Sequence, residues 1–296
     1  MKSSHNVAKE FALLGLLALL WGSSYLFIKI ALADIPPFTL VATRVVIAAL
    51  VLLAVMFWRG HALPVDMATW RMLLVMALLN SIGAWTVLAW GQQYVDSGLV
   101  SVLNSTSPIF VFFITLLITR HEVMNVRKLL GACLGVVGII LIVGFGALQG
   151  LGQPVLGQLA ALLGALLYAC AAIYGKNFAH LPATVIAAAT MIWASVCLVP
   201  LSLTLEQPWL LSPSLKSVLA AIMLAVFCTG GALLIYFRLL NTLGSMGVAS
   251  QAYLRAGVGV VLGVVFLGEQ IDMLVGLGLL CAMVGVILIN LPARRG

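Results

Sequence analysis

Two arginines stand inside long apolar runs of this 296-residue chain: Arg255 and Arg44. Arg255 lies about nine residues into its run, so ~13 Å deep at 1.5 Å per residue of helix. Hydrocarbon does not solvate a guanidinium there, so the group must face a neighbouring helix or a polar cavity. Two roles fit it: an anchor for a substrate carboxylate, or a structural arginine satisfied by the carbonyls of a broken helix. Gly244, Gly247, Gly257 and Gly259 give room for such a break. Arg44 lies about two turns below a surface and is expected to snorkel or to pin its helix, with substrate contact the lesser alternative. Asn104 and Gln251 place amides in mid-run, each able to donate and accept, either between helices or into a cavity. Trp21, Ser24, Tyr25, Asn80, Trp85, Tyr168, Tyr236 and Tyr253 add hydroxyls, an amide and aromatic rings at depth. With Asn104, Gln251 and Arg255 they form the candidate substrate-binding set.

Enzymatic chemistry would need a nucleophile with its base, a metal cluster or paired carboxylates. His5, His61, His121 and His180 lie at the terminus or in loops, and all eight acids lie at run ends or in loops. Cys133, Cys170, Cys197, Cys228 and Cys281 sit inside apolar runs without metal-ligand spacing, which suits packing. No catalytic residue, metal or cofactor is therefore expected. Glu122 and Glu269 precede apolar runs, where a carboxylate suits a helix N-terminus. Tyr94, Trp58 and Trp70 fit interfacial anchors.

The elements that must position these groups are membrane helices. The chain is 64% hydrophobic and 8% charged, with mean hydropathy +1.21, too little charge to cover a soluble surface. Ten apolar stretches reach the ~20 residues that cross a ~30 Å bilayer core: Ala12–Ala33, Phe38–Trp58, Met72–Trp90, Leu99–Thr119, Leu129–Ala147, Leu156–Ile173, Ala183–Leu203, Val218–Phe237, Met246–Leu267 and Ile271–Leu291. They are too long for barrel strands and lack period-two alternation. The first is too long for a signal-peptide core and nine more follow, so it reads as a span. The net charge of +7 comes without a basic run or an aromatic–basic patch for nucleic acid; topology explains it better. With both termini inside, eleven Lys and Arg (Lys2, Lys9, Arg59, Arg71, Arg120, Arg127, Lys128, Lys176, Arg238, Arg294, Arg295) fall on the inner side. Lys29 and Lys216 fall outside. That is a positive-inside pattern with both termini cytoplasmic.

The chain also repeats itself. Gly131-Ala-Cys-Leu-Gly-Val-Val-Gly-Ile-Ile-Leu-Ile142 returns 147 positions on as Gly278-Leu-Leu-Cys-Ala-Met-Val-Gly-Val-Ile-Leu-Ile289, with six of twelve positions identical. The same shift carries Glu122 onto Glu269 and Asn104 onto Gln251. Five spans per half is an odd number, so the second copy enters the membrane from the opposite side. The expected fold is an all-α membrane protein, ten transmembrane helices as two inverted five-helix repeats (1–147 and 148–296). A central cavity between the repeats should touch Asn104 or Gln251. The small faces of Gly131, Gly135 and Gly138, and of Gly276, Gly278, Ala282 and Gly285, are expected to pack within a half, and one copy of the chain to suffice.

Further residues carry a likeness. Trp21-Gly22-Ser23-Ser24 in the first span, Arg44 with Ala48 in the second, Ser107-Pro108 in the fourth and Phe266-Leu-Gly-Glu269 before the last resemble the EamA family of the drug/metabolite transporter superfamily. The likeness covers essentially the whole chain and is most similar to the aromatic amino-acid exporter type. Thr119-Arg-His-Glu122 stands where the family favours Phe-x-Gly-Glu, and Arg255 stands at the position of Pro108 in the other repeat. The resemblance implies a carrier in the bacterial inner membrane that moves small metabolites by alternating access, exporting amino acids, with the lipid bilayer and its substrate as partners. A drug or other metabolite exporter is the alternative, and a membrane-embedded lipid-handling enzyme a more distant one. No acid lies at membrane depth, so transport without obligatory proton coupling is expected.

Overall fold

The chain was analysed as a computed structural model that describes residues 7–117, 126–148, 152–178, 180–236, 238–239, 242, 251–270 and 273–290. Among these the chain is helical, with no strand. The helices are α1 (Val7–Ala31), α2 (Pro37–Trp58), α3 (Met67–Gly91), α4 (Ser97–Leu117), α5 (Val126–Leu148), α6 (Gln153–Phe178), α7 (Ala183–Glu206), α8 (Leu215–Tyr236), α9 (Gln251–Leu267) and α10 (Met273–Asn290). Seven of them, α1 to α4 and α6 to α8, are long and apolar enough to cross a membrane; shorter apolar helices lie within α9 and α10. The α1 helix begins at Val7 rather than at Ala12, which draws Glu10 into it.

Local chemistry sets several boundaries. Asp66 caps α3 by accepting from the Thr69 amide at 2.7 Å, and Ser214 caps α8 through the Ser217 amide at 3.3 Å. Prolines occupy the first turns of α2 and α6, where a missing N–H costs nothing. Gly268 ends α9 at φ +68°, a left-handed conformation open to glycine. Within α4 the helix is interrupted at Ser105-Thr106, where both hydroxyls turn back onto carbonyls of the preceding turn, just before Pro108.

The helices run alternately between two ends. The Asp34 end gathers the last turns of α1, α3, α7 and α9 with the first turns of α2, α4 and α8. The Glu10 end joins the start of α1 to the end of α8, and His61 after α2 to Thr184 at the start of α7. Neighbours come from opposite halves: α1 packs on α8 and α9, α6 on α3 and α4, α2 on α7, and α5 on α10.

The duplicated glycine stretch packs against its own copy. A Cβ at Gly131 would meet the Gly285 carbonyl oxygen at 2.7 Å, and one at Gly138 the Gly278 oxygen at 2.6 Å. The order reverses from one helix to the other, so α5 and α10 lie antiparallel. The small faces therefore close on the opposite half, correcting the expectation of packing within a half. A seam this tight excludes any Cβ, which is why the glycines recur at the same spacing.

Candidate functional site

Two helices carry a widened π turn at matching places. In α3 it spans Leu78–Ala84 and in α8 Val226–Gly231, so a shift of about 147 residues superposes them. Such a turn rotates the side chains that follow it and is frequent at functional sites. In α3 it directly precedes Trp85. In α8 it carries Cys228 and Thr229; the Thr229 hydroxyl follows the widened path and donates to the Leu224 carbonyl five residues back, at 2.8 Å.

These two turns hold Arg44 between them. The side chain keeps only 8% of its surface accessible, its Nε donates to Thr229 Oγ1 at 2.8 Å, and its Cζ lies 3.8 Å from the centre of the Trp85 ring. Arg44 comes from α2, Trp85 from α3 and Thr229 from α8, so the group bridges the two halves. It does not snorkel to a surface. A ring and a hydroxyl receive the head inside the bundle, at the junction of α2 with α3 and α8. Among the described residues the groups acting on it electrostatically are Tyr168, Cys228 and Tyr25, with no carboxylate.

Around this centre the expected residues fall into place unevenly. Tyr25 is buried, and its hydroxyl accepts from Asn104 Nδ2 at 2.6 Å, tying α1 to α4. Asn104 thus takes the interhelical role with its nitrogen, while its Oδ1 is buried without a partner among the described residues. Tyr168 stands within electrostatic reach of Tyr25, Arg44 and Arg255 and within hydrogen-bonding reach of Trp85. Ser24 is buried and donates to the Leu20 carbonyl at 3.2 Å, beside Ser23, which meets Cys228 Sγ at 3.6 Å. Gln251 Oε1 and Arg255 Nε are likewise buried without a hydrogen-bond partner among the described residues, as are Ser81 Oγ and Gln158 Oε1. Buried polar atoms are normally paired, and Thr86 Oγ1, Gln92 Oε1 and Ser97 Oγ are open in the same way, so such atoms extend from this centre to the Asp34 end.

Trp21 and Tyr236 lie towards the Glu10 end, Tyr236 also packing against the cluster that holds Trp85 and Cys228. Their rings pair at 5.4 Å in an apolar cluster with Leu14, Leu17 and Ala232. Asn80 lies half-buried in the α3 π turn. Tyr253 is on α9, with its side chain outside the described residues, as is Glu122. Trp58 is 87% exposed, as an interfacial residue should be. Sequence reasoning left Thr229 unmarked and gave Arg44 a different role. The Thr229-Gly-Gly231 run inside an apolar helix was the available signal.

Two open volumes border α4. A cavity of about 110 Å³ is lined by Asp96, Gly98, Leu99, Val260, Glu269, Gln270, Val275 and Leu279, between α4 and the α9–α10 turn at the Asp34 end. A smaller void of about 10 Å³ lies beside the α4 break, against Ser105, Thr106 and Ala256. Neither is lined by Asn104 or Gln251.

The Asp34 end is fastened across the halves. The N-termini of α2 and α4 have no side-chain cap of their own and borrow one from the second half. Glu206 accepts from the Phe38 and Thr39 amides at 3.0 and 2.6 Å, and Glu269 from the Ser97 and Gly98 amides at 2.6 and 2.9 Å. Glu269 was expected to serve the helix that follows it; the turn at Gly268 instead folds its carboxylate into a recess left by Gly98 and Gly263. In return Asp34 of the first half accepts from the Ser214 amide and hydroxyl and from the Ser217 hydroxyl at 3.0, 2.5 and 2.6 Å. The serines of α8 hold the Asp34 carboxyl below the usual carboxylate range. Burial, joined by the charge of Glu269, pushes Asp96 up, and Lys29 partly offsets this. At the other end Glu10, 2% exposed, accepts from Arg238 Nη2 at 2.8 Å and from the Thr242 hydroxyl at 2.9 Å.

Comparison with known proteins agrees with this two-part build. The EamA-like transporter family matches twice, over residues 9–144 and 155–291. The "Uncharacterized inner membrane transporter YedA" of Escherichia coli (strain K12) is 31% identical over 284 residues, covering 95% of this chain and 90% of the relative. The "Uncharacterized transporter YoaV" of Bacillus subtilis (strain 168) is 28% identical, covering 90% of this chain and 92% of its own length. A solved crystal structure at 20% identity superposes with a TM-score of 0.65 over 97% of this chain and 99% of that one, a likeness of fold. With each half matched separately and transporters aligned along nearly the full length, this multi-pass membrane protein belongs to the EamA-like transporter family.

Proposed function

We propose that the chain is an inner-membrane carrier that exports amino acids by alternating access, working as a single copy of two inverted five-helix repeats with both termini in the cytoplasm. The observation that carries this reading is the meeting of Tyr25, Trp85, Asn104 and Tyr168 with Arg44 and Arg255 where the halves join. A guanidinium, amides and rings suit a small amphipathic guest bearing a carboxylate. The antiparallel seam of α5 and α10 supports the inversion, since a two-fold axis across both helices exchanges Gly131 with Gly278 and Gly138 with Gly285. Fasteners at both ends support alternating access, because each can be released in turn. The lysine and arginine count puts the Asp34 end outside. In this reading the outer end is shut.

The test is counterflow in proteoliposomes with a panel of amino acids, nucleosides and organic cations, a protonophore present and equal pH on both sides. Saturable exchange of an amino acid supports the proposal. Exchange of nucleosides or cations alone would replace the substrate, and turnover without vectorial movement would replace the carrier.

A further inference from the structure

Between the two buried arginines the geometry makes a choice that the sequence did not. We propose that Arg44, and not Arg255, is the anion-binding group of this protein and takes the carboxylate of its substrate between its two Nη amino groups. The inference rests on the carrier reading above and names the group through which that site selects its guest.

Three observations point the same way. First, Arg44 is buried yet incompletely paired: Nε is bonded to Thr229, and no acceptor for either Nη group is found among the described residues. A guanidinium carries five N–H donors, so most of its capacity is open. Second, its charge is uncompensated. Among the described residues no carboxylate forms an ion pair with it; the ion pair found there joins Arg238 to Glu10 at the far end of the bundle. A buried cation without a counter-charge is costly, and an arriving anion would remove that cost. Third, it is already oriented. The Trp85 ring lies against its Cζ and Thr229 fixes its Nε, which leaves the fork of the two amino groups as the side turned to a ligand. A planar fork held in place matches a carboxylate with two parallel bonds and loses little freedom on binding. Arg255 lacks this preparation, since its Nε is buried with no hydrogen-bond partner among the described residues.

The ring that clamps Arg44 also shapes the neighbourhood of the guest. Tyr25 and Tyr168 stand within electrostatic reach of the guanidinium, and Tyr168 also within reach of Arg255, so the remainder of a bound molecule would meet rings, hydroxyls and a second cation. That composition takes carboxylates with an apolar or zwitterionic body and rejects free amines that lack an acid group.

The experiment uses the full-length protein in detergent and in proteoliposomes, with L-phenylalanine, 3-phenylpropionate, phenylalaninamide and phenethylamine as probes. Thermal stabilisation reports binding and counterflow reports transport. In the wild type the two acids should stabilise and the two probes without a carboxylate should not. Arg44→Gln should weaken the acids by about thirtyfold or more, the lower end for removing one partner of a buried charge pair, and erase the preference for acids over amides. Arg44→Lys keeps the charge without the fork and should retain part of the preference; it serves if the glutamine variant does not fold. Thr229→Val frees Nε and should weaken the acids several-fold, while the two amines without a carboxylate stay without effect as in the wild type. Arg255→Gln should leave the acid preference in place.

If neither acid stabilises the wild type, or if the preference survives Arg44→Gln and Arg44→Lys but vanishes in Arg255→Gln, the assignment is overturned. If 3-phenylpropionate binds through Arg44 while no amino acid exchanges, the assignment stands and the amino-acid reading falls.

Discussion

Substituting Glu269→Gln tests whether the fastened Asp34 end is a gate or only a fold. The carboxylate accepts two backbone N–H groups of α4 at 2.6 and 2.9 Å. Hydrogen bonds to a charged group contribute about 1.5–3 kcal/mol each, and a negative charge at a helix start adds about 0.3–1 kcal/mol. Glutamine keeps one acceptor oxygen but turns an NH₂ group towards the second amide, so one charge-assisted bond and the charge are lost. Taking the low end, because the side chain is only half-buried, the loss is about 2 kcal/mol. If the bond is broken in the open state and intact in the closed one, the open population rises roughly thirtyfold, since ~1.4 kcal/mol is a factor of ten. Leu99 lines the adjoining cavity and reports that opening. In a background with the five native cysteines replaced, Leu99→Cys should react with an impermeant maleimide from outside the cell about thirtyfold faster when Glu269 is glutamine. Glu206→Gln, at the start of α2, should act in the same direction. Equal labelling rates in all three proteins would show that these carboxylates stay bound throughout the cycle, and the gate reading would be withdrawn.

Three further outcomes follow from the geometry. Gly285→Ala brings a Cβ against the Gly131 carbonyl and the Gly135 amide at 2.5 and 2.6 Å and should destabilise by about 1–3 kcal/mol, whereas Gly15→Ala, with nothing within 4 Å, should leave the melting temperature level or raise it. Asp34 has a lowered folded pKa, so its contribution is present above the unfolded carboxylate value of about 4 and fades as pH falls through the folded one; the stability gap between wild type and Asp34→Asn should close on acidification, with Asp96→Asn, whose parent acid is shifted up, gaining stability at neutral pH. Arg238→Ala removes the charge-assisted bond that the buried Glu10 carboxylate accepts at 2.8 Å and should lower the melting temperature more than Thr242→Val, which removes a bond from a neutral hydroxyl.

What the sequence determined by itself is what hydrocarbon enforces. A chain that is 64% hydrophobic can satisfy its backbone in a bilayer only through helices or a closed barrel, and runs of this length without alternation leave helices. Helix positions were therefore legible to within a few residues. The duplication was legible too, because glycines at a close seam tolerate no substitute and stay recognisable where other apolar residues interchange. Residue types told where polar groups lie along each helix, which brought Tyr25, Trp85, Asn104, Tyr168 and Arg255 into view. They could not tell which way a side chain turns. Arg44 was read as snorkelling or pinning its helix because depth alone allows either; its neighbours, a ring after one π turn and a hydroxyl in another, come from α3 and α8 and meet it only when the halves close. Glu269 was given to the helix it precedes in sequence, while the left-handed turn at Gly268 hands it to a helix some 170 residues away. The small faces of α5 and α10 were assigned within each half, although spacing fixes only that a face is small and not what it meets. Position along the chain is a one-dimensional property that the bilayer makes readable, whereas pairing across the halves depends on packing, which only the tertiary structure decides.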